Sequence, residues 1–192
     1  SDLTPMAVRL GSASKTLAPG LRVGWVLLPD WLRGPVVRAK QSVDLHTSTL
    51  DQLVIADLLA DEAFLGGHLD RLRSVYGRRC RALCASLARL GAGRFVVDVP
   101  AGGMFVWAGL SPMLGLTADA LLPVALEAGG AFVPRSAFLG GAAESVATEA
   151  DAERGDGERR LRLCFATLDE DGLAEAVQRL VTAVDGAAGR TG

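Results

Sequence analysis

From about Ala63 to Leu90 the apolar residues recur at spacings of three and four: Leu65, Leu69, Leu72, Val75, Tyr76, Cys80, Leu83, Leu87 and Leu90. That period predicts one long amphipathic helix with an apolar stripe facing a core. Arg71, Arg73, Arg78 and Arg79 lie off the stripe and read as a solvated face. Gly91–Gly93 ends the helix. The chain after it alternates between two periods. Phe95–Val99 and Met104–Trp107 read as strands of a hairpin around Pro100-Ala101-Gly102-Gly103. Thr117 caps a helix to about Glu127, and Ala131–Pro134 is a short strand. Arg160–Ala166 is another strand, and Asp169 starts a last helix ending near Val184. Strands alternating with helices predict an α/β fold. Residues 141–160 have little periodicity and predict a mobile loop, and the tail after Asp185 predicts disorder.

The chain before the long helix is organised differently. Met6–Leu10 reads as a strand closed by Gly11, and Ser12–Gly20 as a polar loop. Leu21–Leu28 is almost wholly apolar, as expected of a strand buried on both faces. Pro29 ends it, and Asp30 is placed to cap a helix. The helical pattern from Trp31 to about Leu59 is interrupted at His46-Thr47-Ser48-Thr49, where Ser48 or Thr49 caps the second half. Two strands and a loop do not complete a sheet, so residues 1–29 read as the end of a larger domain.

Composition narrows the class of partner. The 192 residues are 49% apolar and 22% charged, with net charge −2, a soluble globular balance. Basic residues are matched by acidic ones throughout, so no nucleic-acid partner is expected. No apolar run is long enough to cross a membrane, and the N-terminal residues lack a signal-peptide layout; a cytoplasmic location is the default. Of the three cysteines, Cys80 and Cys84 share a helix face without a second ligand pair, which favours a buried structural role over zinc. His46 and His68 have no metal partner either, and structural roles are expected for both.

The chemistry is concentrated in Gly11-Ser12-Ala13-Ser14-Lys15-Thr16-Leu17-Ala18-Pro19-Gly20-Leu21-Arg22-Val23-Gly24-Trp25. Small residues let a ligand approach the backbone. Ser12, Ser14 and Arg22 offer hydrogen bonds and positive charge to a phosphate. A lysine beside such a site suits an aldehyde cofactor such as pyridoxal 5'-phosphate. The spacing serves a solvated surface loop equally well. It does not match the phosphate loop of nucleotide hydrolases, because no Gly-x-x-x-x-Gly segment precedes Lys15.

This stretch resembles the Ser-x-Ser-Lys…Pro-Gly-Leu-Arg-x-Gly-Trp signature of the class I/II aminotransferases, fold type I of the pyridoxal-phosphate enzymes. The resemblance is strongest to the 2-aminoadipate and aromatic aminotransferase group, whose domain also occurs in MocR-type regulators. It continues along the chain. Lys40–Gln52 is similar to the family's interdomain helix, Val99–Trp107 to its Pro-x-Gly-Gly-Met-Phe-x-Trp hairpin, and Arg162-Leu163-Cys164-Phe165 to its late Arg-Leu-x-Phe strand. The resemblance implies that Lys15 is the Schiff-base lysine and proton shuttle. It implies that Ser12, Ser14 and Arg22 hold the cofactor phosphate, and that Arg162 binds the substrate α-carboxylate. A guanidinium suits that last role because it offers a planar two-donor fork. By pattern alone, Arg162 lies on the strand face opposite Leu161 and Leu163, which fits an active-site face and plain solvent exposure alike. Thr47 and Ser48 could reach a partner subunit's phosphate site, or could simply cap a helix.

The implied fold is the C-terminal small domain of a fold type I aminotransferase plus the last strands of its large domain. Residues 1–29 would end the large cofactor-binding domain, 30–60 form the interdomain helix, 61–185 the small α/β domain and 186–192 a tail. The implied reaction moves an amino group between an α-amino acid and a 2-oxo acid, in a homodimer, with this chain a fragment inactive alone. A ligand-sensing domain of a transcription regulator and a pyridoxal-phosphate lyase or synthase are the alternatives. Two departures stand out. Arg135 occupies a position where the family has glycine, which would cost on the order of 1 kcal/mol at positive φ unless Arg135 selects substrate. Residues 141–160 are also longer than usual. If the large domain's earlier strands lie outside the chain, its exposed strands would need covering by swapping or oligomerisation.

Overall fold

The computed structural model describes residues 7–139 and 157–189, in two compact units, one reaching to Leu72 and the other beginning at Arg73. In the first unit β1 (Arg9–Ser12) pairs antiparallel with β2 (Gly24–Leu27), Arg9 opposite Leu27 and Ser12 opposite Gly24. β1 therefore begins later than the apolar run suggests and takes in Gly11 and Ser12. Every residue of β2 is exposed, which corrects the expectation of a strand buried on both faces. β2 has one hydrogen-bonded neighbour among the described residues, and a two-stranded ribbon cannot enclose its own apolar side chains.

Three helices follow: α1 (Asp30–Val43), α2 (Thr49–Ala60) and α3 (Glu62–Leu90), the last running on into the second unit. The break between α1 and α2 falls where the sequence places it. Ser48 caps α2, its hydroxyl accepting from the Asp51 N–H at 3.3 Å. Asp30 does not cap α1. Pro29 holds that position, and Asp30 is the first helical residue, paired with Arg33. A carboxylate in the first turn still complements the positive end of the helix.

The second unit has a four-stranded antiparallel sheet of β3 (Phe95–Val97), β4 (Phe105–Leu110), β5 (Val133–Pro134) and β6 (Arg160–Cys164), in the order β3-β4-β6-β5. The expected hairpin is β3–β4, with Phe95 opposite Leu110. Helices α4 (Ala118–Glu127) and α5 (Glu170–Ala188) carry the expected caps. Thr117 accepts from the Ala120 N–H at 3.2 Å and Asp169 from the Gly172 N–H at 2.9 Å. Strand alternation sorts the sheet into two faces. Val106, Ala108, Leu161 and Leu163 are buried in one core with Leu83 and Leu87 of α3, Leu121 and Ala125 of α4, and Leu173, Val177 and Val184 of α5. Phe105, Trp107, Arg160 and Arg162 are half-buried on the other face.

Three more expectations change. α5 does not stop near Val184 but continues through Gly186 to Ala188, because Val184 and Ala187 are both buried in the core. The disorder expected after Asp185 is absent as far as the described residues extend. Arg135 is not strained: Arg22 is the single non-glycine residue with positive φ among the described residues, and Arg135 begins a 3-10 turn, Arg135–Phe138. The expected loop at 141–160 lies outside the described residues up to 156, and Arg160 already belongs to β6. Among the described residues no helix is long and apolar enough to cross a membrane, and no group of His, Cys, Asp or Glu could hold a metal ion.

Candidate active site

The connection from β1 to β2 is drawn together at its base. The Ala13 N–H donates to the Val23 carbonyl at 3.1 Å, and both residues are buried against Ile55 of α2, with Leu17 and Leu21 packed alongside. Thr16 and Leu17 donate their N–H groups back to the Ala13 carbonyl, at 3.3 and 2.8 Å. That turn carries Lys15 at its crest, exposed. A third tie comes from α3, where His68 Nε2 lies 3.0 Å from the Thr16 carbonyl and donates to it. The His68 ring stacks on Phe64. The sequence suggests a structural role for this histidine without indicating what it holds; what it holds is the residue beside Lys15.

The polar groups of the connection lie on its outer side. Ser12, Lys15 and Arg22 are exposed and Ser14 is half-buried. The Ser12 hydroxyl accepts from the Ser14 N–H at 3.1 Å, which leaves its own proton to donate to an anion. A 3-10 turn, Pro19–Leu21, delivers Arg22 in the left-handed conformation at φ 52°. For a non-glycine residue that geometry costs about 1–2 kcal/mol. Arg22 closes the turn with a 3.4 Å contact from its guanidinium to the Pro19 carbonyl. Gly11 is required by packing. A Cβ there would stand 2.2 Å from the indole of Trp25, its partner across the ribbon.

Two hydroxyls, an amine and a guanidinium therefore share one short connection. This donor set fits a phosphate-bearing aldehyde: hydroxyl and guanidinium donors suit the phosphate, and a primary amine suits the carbonyl. Arg162 lies in the second unit, on β6. Its guanidinium carbon is 4.1 Å from the ring centre of Phe105 and 4.4 Å from that of Phe138. Its Nε is buried with no hydrogen-bond partner among the described residues. Sequence pattern placed Arg162 on this face but gave no sign of the two rings, one of which arrives from the turn after β5.

His46 bonds through Nδ1 to the Thr47 carbonyl at 2.8 Å, and Ser48 is engaged as a cap. Cys80 is buried and Cys84 half-buried on α3, both as free thiols. Burial and the adjoining Cys80 push the Cys84 thiol up to about 11.

The family described as aminotransferase class I and II matches residues 3–180. The 2-aminoadipate transaminase of Thermus thermophilus is 40% identical over 95% of this chain and 42% of its own length. Aromatic-amino-acid aminotransferase 1 of Thermococcus litoralis is 34% identical over 92% of this chain and 39% of its own length. Among solved structures, the α-aminoadipate aminotransferase LysN from Thermus thermophilus, complexed with N-(5'-phosphopyridoxyl)-L-leucine, aligns with a TM-score of 0.77 at 37% identity. The alignment covers 97% of this chain and 43% of that one. The chain thus spans about two fifths of the length of the relatives it matches.

Proposed function

The chain belongs to the class I and II aminotransferases, and from that premise we propose that the complete protein moves an amino group between an α-amino acid and a 2-oxo acid. The family's cofactor is pyridoxal phosphate, whose aldehyde condenses with amines and whose ring withdraws electrons from the bond being broken. The reading is supported by the β1–β2 connection, one short segment that carries Ser12, Ser14, Lys15 and Arg22 on a base fixed by Ala13, Val23 and Ile55.

In this reading the Ser12 and Ser14 hydroxyls and the Arg22 guanidinium hold the phosphate. Arg22 supplies charge as well as donors, and its left-handed backbone is strain kept where the ligand sits. The Lys15 amine is the attachment point for the aldehyde. With the cofactor bound, Lys15 Nζ would be the base that takes a proton from the substrate α-carbon and the acid that gives it back. The backbone that carries it is fixed by the turn closed on Ala13 and by the Thr16 carbonyl held by His68. Arg162 receives the α-carboxylate on its in-plane donors. The working form in this reading is a homodimer, as the family resemblance implies.

The test is made on the complete protein purified with pyridoxal phosphate. The wild type should show cofactor absorption beyond the protein band, and borohydride should fix the cofactor on the peptide containing Lys15. In Lys15→Ala the covalent attachment disappears and amino-group transfer falls to background. A wild-type protein that takes up no cofactor and transfers no amino group to any 2-oxo acid overturns the proposal.

A further inference from the structure

We infer that Phe105 and Phe138 are positioning residues that fix the Arg162 guanidinium for a carboxylate, an inference that rests on the carboxylate role given to Arg162 above. The sheet register brings the group together. Arg162 lies opposite Trp107 on β4 and opposite Val133 on β5, and residues directly opposite share a face. Phe105 is two residues from Trp107 on the same strand and so shares that face. Phe138 comes from the 3-10 turn that follows β5. The rings of Phe105 and Phe138 lie 4.1 and 4.4 Å from the guanidinium carbon. Trp107 braces Phe138 edge-on, with ring centres 5.6 Å apart at 74°.

The choice of rings over an acidic side chain has a chemical reason. A carboxylate from the protein would hold the arginine well, but it would occupy the same donors that a substrate carboxylate needs. An aromatic face attracts the cation through its quadrupole and uses none of the in-plane N–H groups. The Arg162 Nε, buried and without a partner among the described residues, is consistent with an arginine held by its faces. Phe138 keeps 47% of its surface exposed. Its ring contacts here are Trp107 and the Arg162 cation.

The experiment compares Phe105→Leu and Phe138→Leu with the wild type in the complete, cofactor-loaded protein, using an amino acid and the amine of the same side chain without its carboxylate. Each variant should raise KM for the amino acid and the 2-oxo acid by about threefold to thirtyfold. Turnover at saturation should stay within about twofold, the pattern of lost uniform binding. The amine should react alike in variant and wild type. Phe→Tyr at either position, which keeps the ring, should restore the KM. Where a leucine variant folds poorly, Phe105→Met or Phe138→Met keeps volume without the ring and reads the same effect. Equal losses for amine and amino acid overturn the inference, because they mean that the rings only shape a pocket. Arg162→Lys separates the two levels. If it leaves KM unchanged, the carboxylate role of Arg162 fails. If it raises KM while the ring variants do not, the positioning role alone fails.

Discussion

At the scale of single residues, the side chains that look most alike in sequence have been given different surroundings. Ser12 and Ser48 both accept from a backbone N–H two or three residues on, yet Ser48 begins a helix and Ser12 stands exposed in the β1–β2 connection. Arg22 and Arg135 are the two arginines whose backbone is in question. The strain falls on Arg22, at φ 52°, and the family's glycine position is filled by Arg135 in an ordinary 3-10 turn. The cysteines differ in the same way. Cys164 is exposed, while the Cys84 thiol is held protonated by burial and by Cys80, up to about 11 against an ordinary 9.0. At pH 9, iodoacetamide should therefore label Cys164 first and leave Cys84 intact until about pH 11 or unfolding, as peptide mass spectrometry would report. The sign of the linkage follows. The unfolded thiol ionises first, so the stability this thiol contributes is complete below pH 9.0 and is lost as pH rises toward 11. Equal labelling of Cys84 and Cys164 at pH 9 in the folded protein would contradict this.

At the scale of elements, caps and periods were legible because they are local. Ser48, Thr117 and Asp169 each accept from an N–H three residues later, as their types and positions predict. Asp169→Ala removes the cap of α5 and should cost about 1 kcal/mol in urea unfolding, with Asp169→Asn close to wild type. An unchanged midpoint in the alanine variant would show that α5 is held by its apolar face alone. The ends of elements were less legible. α5 runs on past Val184 because Ala187 finds a buried place against the sheet, a gain no local signal announces. β2 reads as a doubly buried strand and is exposed instead. Its apolar composition is local, but burial depends on neighbours, and among the described residues β2 has β1 alone as its hydrogen-bonded neighbour.

At the scale of the molecule, the two units differ in how well each closes on itself. The second has a continuous core joining α3, the sheet, α4 and α5. In the first, the buried set is Ala13, Val23 and Ile55, while Leu10, Trp31 and Leu50 stay 78%, 69% and 71% exposed. Apolar surface of that extent drives association in water. Light scattering on this chain should therefore show self-association that rises with concentration, and replacing Leu10 and Leu50 by lysine should reduce it. A chain that stays monomeric over the whole soluble range would count against this expectation.

The sequence by itself determined what is written in short-range physics. Those features are the helical period before Leu90, the helix caps, the hairpin around Gly102-Gly103, and a connection rich in hydroxyl, amine and guanidinium donors. Tertiary structure alone decided what depends on residues far apart in the chain. It set Phe105 and Phe138 against Arg162, tied His68 to the carbonyl beside Lys15, and crossed Trp25 over Gly11. The reason is that a period or a cap is satisfied by neighbours three or four positions away, which any reader of the chain can see. A cation set against two rings is fixed by register and packing, which exist only once the sheet has formed.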